Sequence, residues 1–233
     1  MKNILIVGAG KGIGLQTATI LQATNNLYTV SRNATDALSA LNTNFYHINV
    51  ATDSLDILDT LPTEIHGLVF CPGSINLKPF NRLSTDDFVN DFNQNVLGAI
   101  KTIQKILPAL KRANGASVVL FSTVAAKLGM PFHASIAASK GAIEGLAKSL
   151  AAELASAKIR VNVIAPSLTD TPLAAMLLNT DEKKEASGKR HPLQRVGTTN
   201  DMAQLAAFLL SNNASFITGQ IIGVDGGMGS LKV

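Results

Sequence analysis

The chain has 233 residues, 46% of them hydrophobic, with a formal net charge of +4, one cysteine and no tryptophan. That length supports one substantial core, and with no break in composition a single domain over residues 1–233 is the economical reading. Scattered Lys and Arg without interleaved aromatics argue against a nucleic-acid surface, and no apolar run approaches the roughly 20 residues that cross a bilayer.

The lone Cys71 cannot form an internal disulfide and has no second thiol for a metal pattern, so no metal site is expected. The amino terminus enters a strand-like run at once, too short for a signal peptide, and the expected compartment is cytoplasmic.

Short β-type runs then alternate with helical stretches. Ile4 to Val7 passes directly into Gly8-Ala9-Gly10-Lys11-Gly12-Ile13-Gly14 and a helix over Ile13 to Ala23. Leu27 to Ser31, Phe45 to Val50 and Leu68 to Cys71 follow as strands. Ser84-x-x-Asp87 is a capping pattern for a helix over Thr85 to Leu110, followed by a strand over Ser117 to Ser122. The next helix, Ile136 to Ala157, is rich in small residues such as Gly141 and Gly145, which suit close packing on the sheet or a seam between two copies of the chain.

A strand over Arg160 to Ala165 leads into the long segment 166–197, which reads as a lid or binding loop; its charged run Asp181 to Glu185 reads as a solvated face. Thr198-x-x-Asp201 opens a helix to Leu210, and Gln220 to Val224 is the seventh strand. Near-continuous Val, Ile and Leu in the strands fits a parallel sheet buried on both faces, hence a doubly wound α/β fold.

The glycine spacing Gly8-x-x-x-Gly12-x-Gly14, between a strand and a helix, is suited to a pyrophosphate: glycines let the backbone approach, and the first N–H groups of a helix favour an anion. No Gly-Lys-Ser/Thr follows, which excludes a triphosphate-type loop. Beyond this turn, Asn49-Val50, Cys71-Pro72-Gly73, Asn95-Val96-Leu97-Gly98, Ser122-Thr123, Ser139-Lys140, Asn162 to Ser167 and Val224-Asp225-Gly226-Gly227 stand in an order that resembles the short-chain dehydrogenase/reductase family over essentially the whole chain.

The resemblance implies a Rossmann-type, three-layer fold whose seven parallel strands lie in the order 3-2-1-4-5-6-7, with a nicotinamide cofactor across their carboxyl ends. It assigns cofactor contacts to Gly8, Gly10, Lys11, Gly12, Ile13, Gly14, Ser31, Arg32, Asn49, Val50, Cys71, Pro72, Gly73, Lys140, Pro166, Leu168, Thr169 and Thr171. Ser31-Arg32 stands where NAD-binding members carry an acidic residue, so NADP(H) is expected over NAD(H). Two departures are Cys71 for the usual Asn and Ser167 for the usual Gly after Pro166.

For the chemical step the resemblance implies Thr123, with Ser122 beside it, as the hydroxyl that polarises a substrate oxygen, Lys140 on the ribose, and Asn95 supporting a water. The family's tyrosine is absent. Ile136 occupies its place, and Tyr28 and Tyr46 belong to the adenine side. His133, seven residues before Lys140, is the leading substitute proton source, with Ser135 and water behind it. The expectation is an NADP(H)-dependent oxidoreductase acting on a partly apolar carbonyl, alcohol or activated alkene, assembled as a homodimer or homotetramer. The alternative is a non-catalytic NADP(H)-binding sensor or partner subunit.

Overall fold

The strands are β1 (Lys2–Val7), β2 (Asn25–Ser31), β3 (Thr43–His47), β4 (Gly67–Phe70), β5 (Ala116–Phe121), β6 (Ile159–Pro166), β7 (Thr169–Asp170), β8 (Gly197–Thr198) and β9 (Ile221–Val224). In the computed structural model, which describes residues 1–232, seven of them form one sheet in the order β3-β2-β1-β4-β5-β6-β9. Every pairing is parallel. The expected order is therefore observed, with β9 as the seventh strand of the sheet; β7 and β8 pair separately within the long loop.

The helices are α1 (Gly12–Leu21), α2 (Asp36–Ser39), α3 (Thr85–Phe92), α4 (Gly98–Arg112), α5 (Ala134–Leu154), α6 (Asp181–Gly188) and α7 (Thr199–Leu210). Side chains alternate faces along a strand, so each apolar run feeds two cores. In β1, Leu5 and Val7 pack into the core shared with Ile103, Leu110 and Ile143, whereas Ile4 and Ile6 join the core of Ala18, Met202 and Leu209. Helices α4 and α5 cover the first face; α1 and α7 cover the second. This is why the strands read as uninterrupted hydrophobic runs.

Both expected capping boxes form. Ser84 Oγ accepts from Asp87 N at 3.2 Å, Thr198 Oγ1 accepts from Asp201 N at 3.2 Å, and each aspartate returns a bond to its cap residue. The helix read as continuous over Thr85 to Leu110 is instead interrupted by a π-helical turn, Asn93–Leu97. Asn95 within it donates through Nδ2 to Asp91 O at 2.8 Å, a side-chain bond that accompanies the widened turn. Strand β3 is also displaced from the expected range, ending at His47 so that Ile48 to Val50 leave the sheet toward the cleft described below. The charged run Asp181 to Glu185 lies on the exposed helix α6, capped by Thr180. No described helix is long and apolar enough to cross a membrane.

Candidate active site

The carboxyl end of β1 leads into the glycine turn. Gly8 and Gly12 hold φ of 82° and 61°, the left-handed region that L side chains rarely adopt. A Cβ on Gly14 would lie 2.3 Å from Gly8 O, so only glycine allows the helix to start this close to the strand. Lys11 sits at the N-cap of α1 with no side-chain capping bond. No side chain caps the amide groups of the first turn, and N–H groups at this position are suited to an anion.

Thr35 Oγ1 donates to Gly10 O at 2.8 Å, tying the turn to the loop after β2, where Ser31 Oγ donates to Asn33 O at 2.5 Å. A cleft of about 430 Å³ opens above it, lined by all four glycines of the turn together with Arg32, Asn49, Val50 and Gly73, among others. Its lining contains no Asp or Glu, and Lys11 and Arg32 are exposed and form no ion pair among the described residues. The glycine floor, unclaimed amides and cations fit a pyrophosphate-bearing nucleotide.

A second cavity of about 350 Å³ shares Ile13, Cys71, Gly73, Thr171 and Leu173 with the first. Its wall includes Thr123 at the end of β5, His133, Ile136 and Lys140 from α5 and its approach, and Pro166, Leu168 and Thr169 after β6. Lys140 is 7% exposed and its Nζ donates to Phe121 O at 2.9 Å. Burial lowers its pKa to about 8, against an upward pull from Cys71 and Asp91. Burial pushes the Cys71 thiol up to about 12, with Lys140 pulling it down, so this sulfur is a neutral wall atom and not a nucleophile.

Thr123 Oγ1 accepts from Ala125 N at 3.3 Å, leaving its proton uncommitted. Ser122 is a different case, because its Oγ donates to Glu144 Oε1 at 2.8 Å within the protein. His133 is partly buried at the N-cap of α5, with Nδ1 2.7 Å from Pro131 O, and follows Phe132, whose φ of 68° is unusual for an aromatic residue.

Asn95 lines neither cavity. It lies fully buried behind Gly73, with Nδ2 donating to Ser74 Oγ at 3.0 Å, while its Oδ1 has no partner among the described residues. A Cβ built on Gly73 would be 3.7 Å from that oxygen and 3.8 Å from Lys140 Nζ, so both groups converge on the same point. Beside them Asp91, itself buried, accepts from Ser74 Oγ and Ser135 Oγ at 2.5 Å each. Ser135 is thereby removed from consideration as a proton source: its hydroxyl bonds across to α3 and it does not line the cavity.

A profile described as enoyl-(acyl carrier protein) reductase matches residues 8–229, from the glycine turn to the terminal glycines. A structure of a short-chain type dehydrogenase/reductase from Mycobacterium ulcerans superposes with a TM-score of 0.89 at 30% identity, covering 98% of this chain and 90% of that one. The chain belongs to the short-chain dehydrogenase/reductase family. A tropinone reductase homologue of Arabidopsis thaliana is 33% identical to it over 97% of this chain and 92% of its own length. ElxO with NADP bound is 28% identical with a TM-score of 0.89, covering 99% of each chain, and a tyrosine-to-phenylalanine variant of ElxO has been solved with NADPH bound.

In this short-chain dehydrogenase/reductase the fold gathers every sequence-assigned cofactor residue onto one of the two cavities. Tyr28 and Tyr46 line neither. Sequence reasoning missed Asn33, Thr35 and Gln94 in the first cavity, and Ser187, Arg190, His191 and Met228 in the second. A helix start followed by Ser31-Arg32 hinted at the first group; nothing local to residues 187–191 distinguishes the second.

Proposed function

We propose that this chain is an NADP(H)-dependent oxidoreductase for a partly apolar carbonyl, alcohol or activated alkene. The observation that carries the cofactor reading is the first cleft: a glycine turn under uncapped amides, with two cations at its rim that have no ion-pair partner, and a lining that has no carboxylate to repel a ribose 2′-phosphate, among the described residues. The NADP-bound state of ElxO supports the same preference.

When bound, the cofactor would supply or accept a hydride. In this reading Lys11 and Arg32 hold the 2′-phosphate, Asn49 and Val50 flank the adenine, and Lys140 holds the nicotinamide ribose while adding positive potential. Leu168, Thr169 and Thr171 meet the nicotinamide end. Thr123 donates to the substrate oxygen as negative charge develops there. The Asn95 Oδ1 and Lys140 Nζ convergence supports a held water. Met130, Ile136, Leu168 and Leu177 make the second cavity mostly apolar, which supports the substrate class. On α5, an added Cβ at Gly141 or Gly145 would meet nothing within 4 Å, which supports a homo-oligomer joined through that helix.

The test is calorimetric titration with NADPH and NADH, on the wild type and on Arg32→Asp. A charge-assisted contact contributes about 1.5–3 kcal/mol, so the substitution should weaken NADPH binding roughly 10- to 100-fold and spare NADH. Unchanged NADPH affinity would remove Arg32 from the site, and no affinity for either nucleotide would end the oxidoreductase reading. The second reading, a non-catalytic NADP(H) sensor, is favoured by Ile136 in the tyrosine position; it predicts tight NADPH binding with no oxidation by any carbonyl or alkene.

A further inference from the structure

We infer that Ser167 and His191 form a proton relay that supplies the proton a tyrosine in place of Ile136 would otherwise give. The inference rests on the oxidoreductase reading above. His191 is 2% exposed, and both ring nitrogens are engaged: Nδ1 lies 2.9 Å from Ser187 O, and Nε2 lies 2.8 Å from Ser167 Oγ. A carbonyl oxygen only accepts, so this contact selects the tautomer with its proton on Nδ1, and the imidazolium keeps that proton too. Nε2 is therefore the nitrogen that exchanges a proton with Ser167.

Both residues line the second cavity. Their position in the fold also matters. The pairing of β5 with β6 sets Phe121 beside Ile164, and continuing that register puts Thr123 beside Pro166, one residue before Ser167. Adjacent strands are about 4.8 Å apart. Thr123 and Ser167 thus stand on neighbouring strand ends around one cavity, one to polarise a substrate oxygen and the other to protonate it. The glycine usual at position 167 has no hydroxyl to offer.

In the reducing direction His191 begins as an imidazolium, with Nε2–H donating to Ser167 Oγ and the Ser167 O–H free to face a substrate carbonyl. As the carbonyl carbon gains a hydride and is reduced, the nicotinamide being oxidised, the substrate oxygen takes the Ser167 proton. Ser167 takes the Nε2 proton in turn. The products are an alcohol, Ser167 with its hydroxyl intact and neutral His191, which recovers one proton from solvent. Oxidation of an alcohol runs the same transfers backward. The other cationic side chains lining this cavity are Lys140 and Arg190. His133 is the rival donor, at the N-cap of α5.

The test is NADPH oxidation with phenanthrenequinone and ethyl acetoacetate as probes, in the wild type, His191→Ala, Ser167→Gly and His133→Ala, with thermal unfolding as a check on folding. Loss of a positioned general acid costs about 10²- to 10⁴-fold, and that loss in kcat is expected for the first two variants. Added imidazole should restore part of the His191→Ala rate, and in an Ile136→Tyr background both losses should shrink because a phenol again supplies the proton. Neither response is expected of a histidine that merely ties down the loop.

Full-rate His191→Ala overturns the relay, as does a loss unrelieved by either imidazole or Ile136→Tyr. A loss confined to His133→Ala transfers the role to that residue. NADPH binding without oxidation of either probe by the wild type also overturns the relay while leaving the nucleotide site standing; absence of NADPH binding removes both readings.

Discussion

Replacing Lys140 by methionine should stabilise the cofactor-free protein at neutral pH. The ammonium sits 7% exposed, with one hydrogen bond to Phe121 O, and its pKa falls from 10.5 to about 8. At about 1.36 kcal/mol per pKa unit, holding this charge in the folded state costs about 3 kcal/mol at pH 7. Methionine removes that cost and forfeits a hydrogen bond of about 1 kcal/mol, leaving a net gain of about 2 kcal/mol. For a chain of this size that is a rise in Tm of about 4–8 °C.

The pH dependence follows from the direction of the shift. Between about 8 and 10.5 the unfolded chain binds more protons at this site than the folded one, so wild-type stability climbs with pH through that window. By pH 10 the penalty has fallen to about 1 kcal/mol or less, and the two proteins should unfold at similar temperatures or the wild type slightly higher. Thermal unfolding of both proteins, without nucleotide and at one protein concentration, checks this at pH 7 and pH 10. A methionine variant less stable at pH 7, or a difference that ignores pH, would refute the reasoning.

Two further outcomes are expected. Phe132→Gly should relieve the left-handed backbone conformation before His133, and because the strain there is about 1–2 kcal/mol while glycine adds unfolded-chain entropy, urea denaturation should show a small net change of either sign below about 1 kcal/mol and not the loss usual for deleting an aromatic side chain. At the start of α7, the Arg195 guanidinium, at 2.7 and 2.9 Å, holds the Asp201 carboxyl well below the usual 3.8. Asp201→Asn should therefore lower Tm at pH 7, and the difference should shrink in melts as the pH falls below that usual value, because the unfolded wild-type chain then takes up a proton that the folded pair does not.

Local spacing carried the first half of the site. Gly8, Gly12 and Gly14 act within one turn of chain, and Ser84 and Thr198 bond to residues three positions away, so the sequence displays both partners of each interaction together. The π turn at Asn93–Leu97 was not legible, since the same residues suit an uninterrupted helix and only their bonds to Asp91 and Ser74 mark the difference. Ser122 lines the second cavity, but only the fold shows that its proton goes to Glu144. Ser167 was visible as a departure from the family, but its meaning depends on His191, which reaches it from 24 positions further along the long loop.

The double allegiance of β1 has a mechanical consequence. Leu5 and Val7 answer to one core while Ile4 and Ile6 answer to the other, so neither half of the molecule can loosen without pulling on this strand. The glycine turn hangs from its carboxyl end. The segment whose backbone must meet a phosphate within tenths of an ångström is thus suspended from the middle of the sheet, between β2 and β4, where thermal motion is damped from both sides. Its flexibility-prone glycines serve shape there, while the strand behind them supplies the stiffness that glycine lacks.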